Sequence, residues 1–191
     1  MLSITPSLYS AFYYYAVKDL GKTKEDFLKV LRKEPSEPTE SMLAGIQLED
    51  RIKDIADGVT PFSNNIESEV AKIVEGGTWQ YKLGKEFNGY YLYGRADVIK
   101  GDTIYDIKFC NSYDLNKYEY SIQHLIYCYA MGINKFRYLI VEKGKNLYTE
   151  DYYFDKYSHA KLLARTQELI GFIDGYQEFK EIFESNWVYK K

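Results

Sequence analysis

Cysteine is almost missing from this chain. The two present, Cys110 and Cys128, lack any C-x-x-C spacing, which excludes a disulfide scaffold, a zinc knuckle and a cysteine-ligated iron-sulfur cluster. Histidine is as scarce. His124 and His159 stand too far apart for a metal-ligand spacing and read as structural or solvated. Long apolar runs are absent as well: every stretch is broken by Lys, Asp or Glu well short of the roughly 20 residues that span a bilayer. The first residues, MLSITPSLYS, carry no basic segment followed by an apolar one, so the expected location is cytoplasmic. There is no G-x-x-x-x-G-K-[ST] phosphate loop. Nor is there a surplus of positive charge, since 28 acidic residues face 25 basic ones for a net charge of −3. No global field draws the protein onto a polyanion, and any such site must be a local patch.

What the chain does contain is 191 residues that are 46% apolar and 28% charged, enough for one compact domain over 1–191. Tyrosine is the one compositional excess, at 21 residues. Tyrosines fill cores, stack on flat rings or contact phosphates, so the excess alone selects no function.

Local patterns set the expected order of elements. Thr5-Pro6 caps a first helix carrying Tyr9, Phe12, Tyr13, Tyr14 and Tyr15, and a second helical pattern runs over 25–33. After the loop 35–39, Thr39 caps a long helix to about Asp57. Its buried stripe is expected from Leu43, Ile46, Ile52 and Ile55, with Gly58 as its stop. A short helix over 66–74 comes next. From Thr78 the period becomes two, and the turns Asn88-Gly89 and Gly101-Asp102 predict three antiparallel strands at about 78–87, 90–100 and 103–110. Asn116-x-x-Glu119 reads as a capping box for a helix ending near Gly132. Strands over 135–142 and 147–154 and one long helix over 157–183 complete a mixed α/β (α+β) fold: a central mixed sheet with an antiparallel meander, flanked by helices.

The second hairpin carries the chemistry. A two-residue turn at Gly101-Asp102 sets Asp97 opposite Asp106 and Arg95 opposite Lys108. Side-chain alternation then puts these four on one polar face, with Ala96, Val98, Tyr105, Ile107 and Phe109 on an apolar one. The Asn88-Gly89 turn adds Gln80 opposite Asp97, and adds Trp79, Tyr81 and Leu83 to the apolar side. Charges on a half-exposed sheet are commonly just solvated. Here, though, both opposed pairs are of like sign at a Cβ separation of roughly 5 Å, which costs stability unless something compensates. Diagonal ion pairs would do so; a divalent cation between the carboxylates would do so better. Magnesium or manganese takes oxygen ligands and keeps waters, so Asp97, Asp106 and the carbonyl of Ile107 make an open site. Lys108 is then placed to stabilise charge on an attacking water or a transferring phosphoryl group.

The segment Gly94-Arg-Ala-Asp97, followed by Asp106-Ile107-Lys108 and then by Gln123-x-x-x-Tyr127, resembles the PD-(D/E)XK nuclease superfamily, in its RecB-type and lambda-exonuclease-type branch. The resemblance covers roughly residues 40–142. It implies a restriction-endonuclease-like core, with Asp97 and Asp106 as Mg2+ or Mn2+ ligands and Lys108 as the catalytic lysine. Gln123 would contact the catalytic centre or the scissile phosphate, and Tyr127 would support the site or the DNA backbone. Gly45-x-x-x-Glu49 resembles the family's first motif and makes Glu49 a third ligand, although RecB-type members often carry His at that position. The family's proline before the first Asp is replaced by Ala96. Gly45 inside a helix suggests a close backbone approach. Candidate nucleic-acid contacts are Lys82, Arg95, Lys117, Lys143 and Gln80.

The implied function is a metal-dependent DNA nuclease, foremost an exonuclease on double-stranded ends in recombination or repair, encoded by a phage or mobile element. An endonuclease for branched or single-stranded substrates and an inactive nuclease-fold binding module are the alternatives. The implied partners are DNA and a recombinase, helicase or single-strand-binding protein, and the resemblance is compatible with an oligomer.

Overall fold

The computed structural model describes residues 1–18 and 21–189. Its elements are β1 (Leu2–Ile4), α1 (Pro6–Phe12) with a π-helical turn (Tyr13–Val17), α2 (Lys24–Leu31), α3 (Glu40–Ala56), α4 (Ile66–Val74), β2 (Thr78–Phe87), β3 (Tyr90–Lys100), β4 (Thr103–Cys110), α5 (Gln123–Met131), β5 (Lys135–Glu142), β6 (Asn146–Tyr153), α6 (Lys156–Asp174) and α7 (Gln177–Asn186). The expected mixed sheet flanked by helices is present, with six strands. No helix among the described residues is long and apolar enough to cross a membrane.

The meander forms where the turn chemistry requires it. Asn88 and Gly89 both adopt positive φ, 49° and 84°, as a primed two-residue turn demands. β2 then runs antiparallel along nearly the whole of β3, from Phe87 opposite Tyr90 to Thr78 opposite Ile99. β1 and β4 must therefore share the other edge of β3. β1 pairs in parallel with Tyr90–Leu92, and β4 pairs antiparallel with Val98–Lys100 alone. Residues 93–97 of β3 lie in a gap between them. β4 continues into a full parallel ladder with β5, and β5 pairs antiparallel with β6.

Both faces of the sheet are covered. On one, α1, α2, α5, α6 and α7 enclose Leu92, Ala96, Ile104, Cys110, Phe136, Tyr138 and Ile140; on the other, α3 and α4 enclose Val98, Ile107, Leu139 and Val141. β5 alternates between the two cores and is buried on both sides, as a central strand with a parallel neighbour should be. Each fully buried Leu, Ile or Phe here contributes about 1.5–3 kcal/mol by leaving water.

Several expectations need correction. The sheet has no solvated polar face: Ile104 and Cys110, on the side assigned to Asp106 and Lys108, are buried. The directly opposed pairs Asp97/Asp106 and Arg95/Lys108 do not form, because the β3–β4 ladder stops at Val98–Tyr105. Gln80 has φ 51° and makes no ladder bridge itself, but Trp79 opposite Val98 and Tyr81 opposite Ala96 keep one register, so it stays level with Asp97 as expected. Leu43 and Ile46 are exposed, and the stripe of α3 is instead Leu48, Ile52 and Ile55. A Cβ added at Gly45 would make only ordinary contact, 3.9 Å from Phe109, so no close approach explains that glycine. The capping box at Asn116 is absent, since Asn116 takes φ 62°. Residues 113–121 instead form successive turns, with Lys117, Glu119 and Ser121 N–H groups donating to Asp114, Asn116 and Tyr118 carbonyls. α5 begins only at Gln123, whose N–H donates to Ser121 Oγ. The last helix is two, because Tyr176 is extended after Gly175; this turns α7 so that Phe179 packs on Phe27 of α2.

Tyr127 closes the gap in β3. Its buried ring lies over Gly94, where an added Cβ would come within 2.3 Å of Tyr127 Cε1. Its hydroxyl donates to the Arg95 carbonyl at 2.9 Å and accepts the Arg95 N–H at 3.3 Å. Gly94→Ala is accordingly predicted to destabilise the fold by about 1–3 kcal/mol through overpacking. Urea denaturation should show this loss, and a Gly94→Ala/Tyr127→Ala pair should lose less than the sum of the two single changes.

Candidate active site

The gap in β3 is where the acidic residues gather. Because β4 peels away from β3 after Val98–Tyr105, the N–H of Ile107 is free to turn to a side chain. It donates to Asp97 Oδ2 at 2.8 Å, so the carboxylate of Asp97 takes over from the missing ladder bond. Asp106, on the next strand, is only 1% exposed. Its Oδ1 accepts a hydrogen bond from Gln123 Nε2 at the start of α5. Its Oδ2 has no well-aligned hydrogen-bond donor and meets the ammonium of Lys108 as an ion pair at 2.5 Å. Glu49 reaches the cluster from α3 and accepts Gln80 Nε2 at 3.3 Å. The left-handed backbone at Gln80 breaks the ladder at that residue without shifting its register, and its amide reaches Glu49.

Charge is concentrated here at high cost. Burial lifts the Asp97 carboxyl well above the usual carboxylate range, and the nearby charges of Asp106 and Glu49 lift it further. Glu49 is raised by burial and then by Asp106. Burial raises Asp106 despite the opposing pull of Lys108 and Gln123. Lys108 moves the other way from an isolated buried amine: burial works to lower it, yet Asp106 and Asp97 overcome this and hold it above its ordinary value. The ammonium stays protonated throughout the neutral range.

The donor set fits a divalent cation. The buried Oε1 of Gln80 lacks a hydrogen-bond partner, and the buried Oδ2 of Asp106 meets only the Lys108 ammonium; carboxylate and amide oxygens are what magnesium or manganese takes. Asp97, Asp106, Glu49 and the Ile107 carbonyl are the groups that could hold it. No three His, Cys, Asp or Glu side chains among the described residues stand as a ready cage; Lys108 and Gln123 now occupy positions on Asp106.

The sequence-predicted residues separate into groups. Asp97, Asp106, Lys108, Glu49, Gln80 and Gln123 are brought together. Tyr127 bonds the β3 backbone rather than an acid, and burial pushes its hydroxyl up to about 12, so it holds Asp97 in place through the chain. Arg95 is exposed beside Gln123 and Ser121 in a cleft that also contains Tyr93. Lys82 lies opposite Arg95 in the β2–β3 register, in an adjoining cleft with Lys33. Lys117 lies in the turns before α5 and donates to the Ser112 carbonyl at 3.1 Å. Lys143 sits in the β5–β6 turn at φ 51° and lines none of these clefts. His124 is buried and stacked on Tyr152 at 4.3 Å, structural rather than solvated. Two residues went unnoticed in the sequence: Tyr138, level with Asp106 in the β4–β5 register, and Tyr118, stacked on Tyr138 at 4.6 Å. The Lys108 ammonium lies 5.9 Å from the Tyr138 ring centre. Only the parallel pairing of β4 with β5 could have signalled either.

No family model matches the chain, and no curated protein matches its sequence. Solved structures do share its fold. A protein from Eubacterium rectale assigned as an exonuclease superposes with a TM-score of 0.60 at 12% identity, over 96% of this chain and 82% of that one. The alkaline exonuclease LHK-Exo from Laribacter hongkongensis, in its complex with dAMP, gives 0.59 at 12% identity over 96% and 90%. The protein SSO0001 gives 0.56 at 16% over 89% and 76%.

The raised carboxyls set the pH dependence of stability without metal. A carboxyl that binds its proton more tightly in the folded state loses stabilisation as pH rises from the ordinary carboxylate range to its folded value. Asp97→Asn keeps an oxygen for the Ile107 N–H and removes the charge. In EDTA it is predicted to be more stable than wild type at neutral pH, and the difference should vanish below about pH 4. Denaturant titrations across pH 3–8 check both parts.

Proposed function

We propose that the protein is a divalent-metal-dependent DNA nuclease, acting as an exonuclease on double-stranded ends. The observation that carries this reading is the constellation at the β3 gap: two carboxylates on neighbouring strands, a third from α3, and a lysine two residues beyond the second acid. Exonucleases among the proteins sharing the fold support the same chemistry and favour attack at ends. Processing of DNA ends in recombination or repair, in a phage or mobile element, is the biological setting proposed with it.

When bound by Asp97, Asp106, Glu49 and the Ile107 carbonyl, magnesium or manganese would neutralise the phosphodiester and lower the pKa of an attacking water. The chain's own groups do the rest. Gln123 fixes the Asp106 carboxylate by its Nε2, and Tyr138 donates to Gln123 Oε1 at 3.5 Å, which orients the amide. The Ile107 N–H fixes Asp97 in the same way. Lys108, held protonated, acts as a cation and proton donor beside the developing negative charge rather than as a base. Its ion pair with Asp106 keeps the ammonium at the site before substrate arrives.

Cleavage of end-labelled linear duplex, single-stranded and closed circular DNA, in Mg2+, Mn2+ or EDTA, tests the reading. Metal-dependent loss of linear duplex alone is expected. Lys108→Ala and Asp106→Asn should each lower the rate by at least about 10²–10³-fold with the fold intact by circular dichroism. Cutting of the circle would replace the exonuclease by an endonuclease, and wild-type cleavage by either variant would overturn the site.

A further inference from the structure

The charge balance of the chain makes one surface stand out. Three clefts share walls: Ser10, Ser121 and Gln123 join the first to the second, and Thr5, Ser7 and Tyr93 join the second to the third. Together they form one groove that runs along α1 and passes Gln123, the residue that holds Asp106. Six cations line it, namely Lys18, Lys108, Lys117, Arg95, Lys33 and Lys82, of which Lys108 is paired with Asp106. No carboxylate lines these three clefts among the described residues; Asp26 and Glu34 lie in a neighbouring cleft that shares Tyr14, and Glu168 lies with Arg165 in one that shares Tyr13 and Tyr120. In a protein of net charge −3, this segregation makes the groove a local polyanion track.

Its two arms differ in chemistry. On one side of Gln123, Tyr13 and Tyr14 from the π-helical turn face Tyr118 and Tyr120 from the turns before α5. Tyr13 and Tyr120 are near-parallel, 17° apart at 6.1 Å. The guanidinium of Arg165 lies 5.7 Å from the Tyr13 ring centre and 5.9 Å from that of Tyr120, while Tyr14 and Tyr120 are exposed. The extra residue of a π-turn rotates the side chains beyond it about the helix axis, and such turns recur at functional sites; here the turn brings adjacent tyrosines to one wall. This cleft holds about 210 Å³, below the roughly 300–1,000 Å³ of ordinary ligand pockets, so it suits a single flat ring. The other arm offers hydroxyls and cations from Thr5, Ser7, Tyr93, Arg95, Lys82 and Lys33, which suit a phosphate chain.

The geometry points to a threading groove for one unpaired DNA strand, with bases stacked on Tyr14 and Tyr120 and phosphates tracked along Arg95, Lys82 and Lys33. Bases inside a duplex already stack on one another; only an unpaired strand can offer its faces to exposed tyrosines. The inference rests on the nuclease reading for its purpose, since the groove delivers a strand to Gln123 and Lys108, but its binding chemistry is independent of cleavage.

Fluorescence anisotropy in EDTA, with a labelled oligodeoxythymidine and a blunt duplex of equal length, tests it. The single strand should bind more tightly. Tyr14→Ala/Tyr120→Ala should weaken that binding about tenfold or more, whereas Tyr14→Phe/Tyr120→Phe keeps the rings and should bind as wild type. Lys33→Ala/Lys82→Ala should reduce the slope of log affinity against log salt by about 1.4, at roughly 0.7 per lost phosphate contact. Equal affinity for blunt duplex, or wild-type binding by both alanine pairs, overturns the groove. Loss of binding in those pairs, with no DNA cut in Mg2+ or Mn2+, upholds the groove and removes the nuclease reading. Wild-type cleavage of linear DNA without single-strand preference does the reverse.

Discussion

One edge of β3 is shared between two strands that run in opposite senses, and the arrangement of the candidate site depends on that division. β1 can extend only to Leu92 and β4 only to Val98, so residues 93–97 keep β2 on one edge and the backbone groups they point into the gap must be satisfied by other means. Buried peptide groups left unpaired cost about 1–3 kcal/mol each. The chain meets the cost with side chains: Tyr127 serves Arg95, and Asp97 serves Ile107. A strand gap that must be filled by polar side chains is also a place where carboxylates can be held at the sheet centre rather than at its rim. Gly94 is part of the same solution, since the Tyr127 ring occupies the space a side chain would need.

The electrostatics show the other side of that arrangement. Burial raises all three acids, Asp106 further raises Asp97 and Glu49, Glu49 adds to Asp97, and one ammonium, that of Lys108, opposes the rise in all three. A single lysine cannot neutralise three carboxylates, so the hydrophobic cores on either face hold the cluster together against its own repulsion. Groups with perturbed protonation in a cleft are candidates for function on physical grounds. Here the perturbation has an identifiable origin in burial and like charge, and the compensation it calls for is a further positive charge.

Legibility from sequence tracked the range of the interactions. The hairpin turns are local, and Asn88-Gly89 and Gly101-Asp102 placed β2, β3 and β4 at their observed bounds. Alternation along β4 put Asp106 and Lys108 on one side, which holds. What failed were inferences that need to know where a ladder ends: the opposed pairs Asp97/Asp106 and Arg95/Lys108 presume a hairpin paired throughout, and nothing local to residues 95–108 reveals that β1 claims part of the edge. β1 itself is three residues long and too short to show a period. Asn116-x-x-Glu119 has the residue types of a capping box, yet the left-handed backbone at Asn116 favours a turn. Leu43 and Ile46 fit the stripe of α3 by spacing, but spacing cannot tell which turns of a helix are covered. The covering of the Asp106 face by α5 was foreshadowed only by Gln123 and Tyr127, whose four-residue separation puts both on one helical face.

The acids and the cation-lined groove are also two parts of one electrostatic arrangement. Under the proposed reading, a groove carrying six cations would attract a polyanion along its length; the carboxylates do not line it, but Asp106, buried and held by Gln123, sets negative charge behind one point of it. A strand laid in the groove is attracted on both sides of that point and repelled at it. The repulsion falls away only where additional positive charge is bound among the acids, so occupancy by a cation would convert the least favourable position on the track into a place where a phosphate can rest. Selection of that one position would need no base-specific contact, because it turns on charge alone.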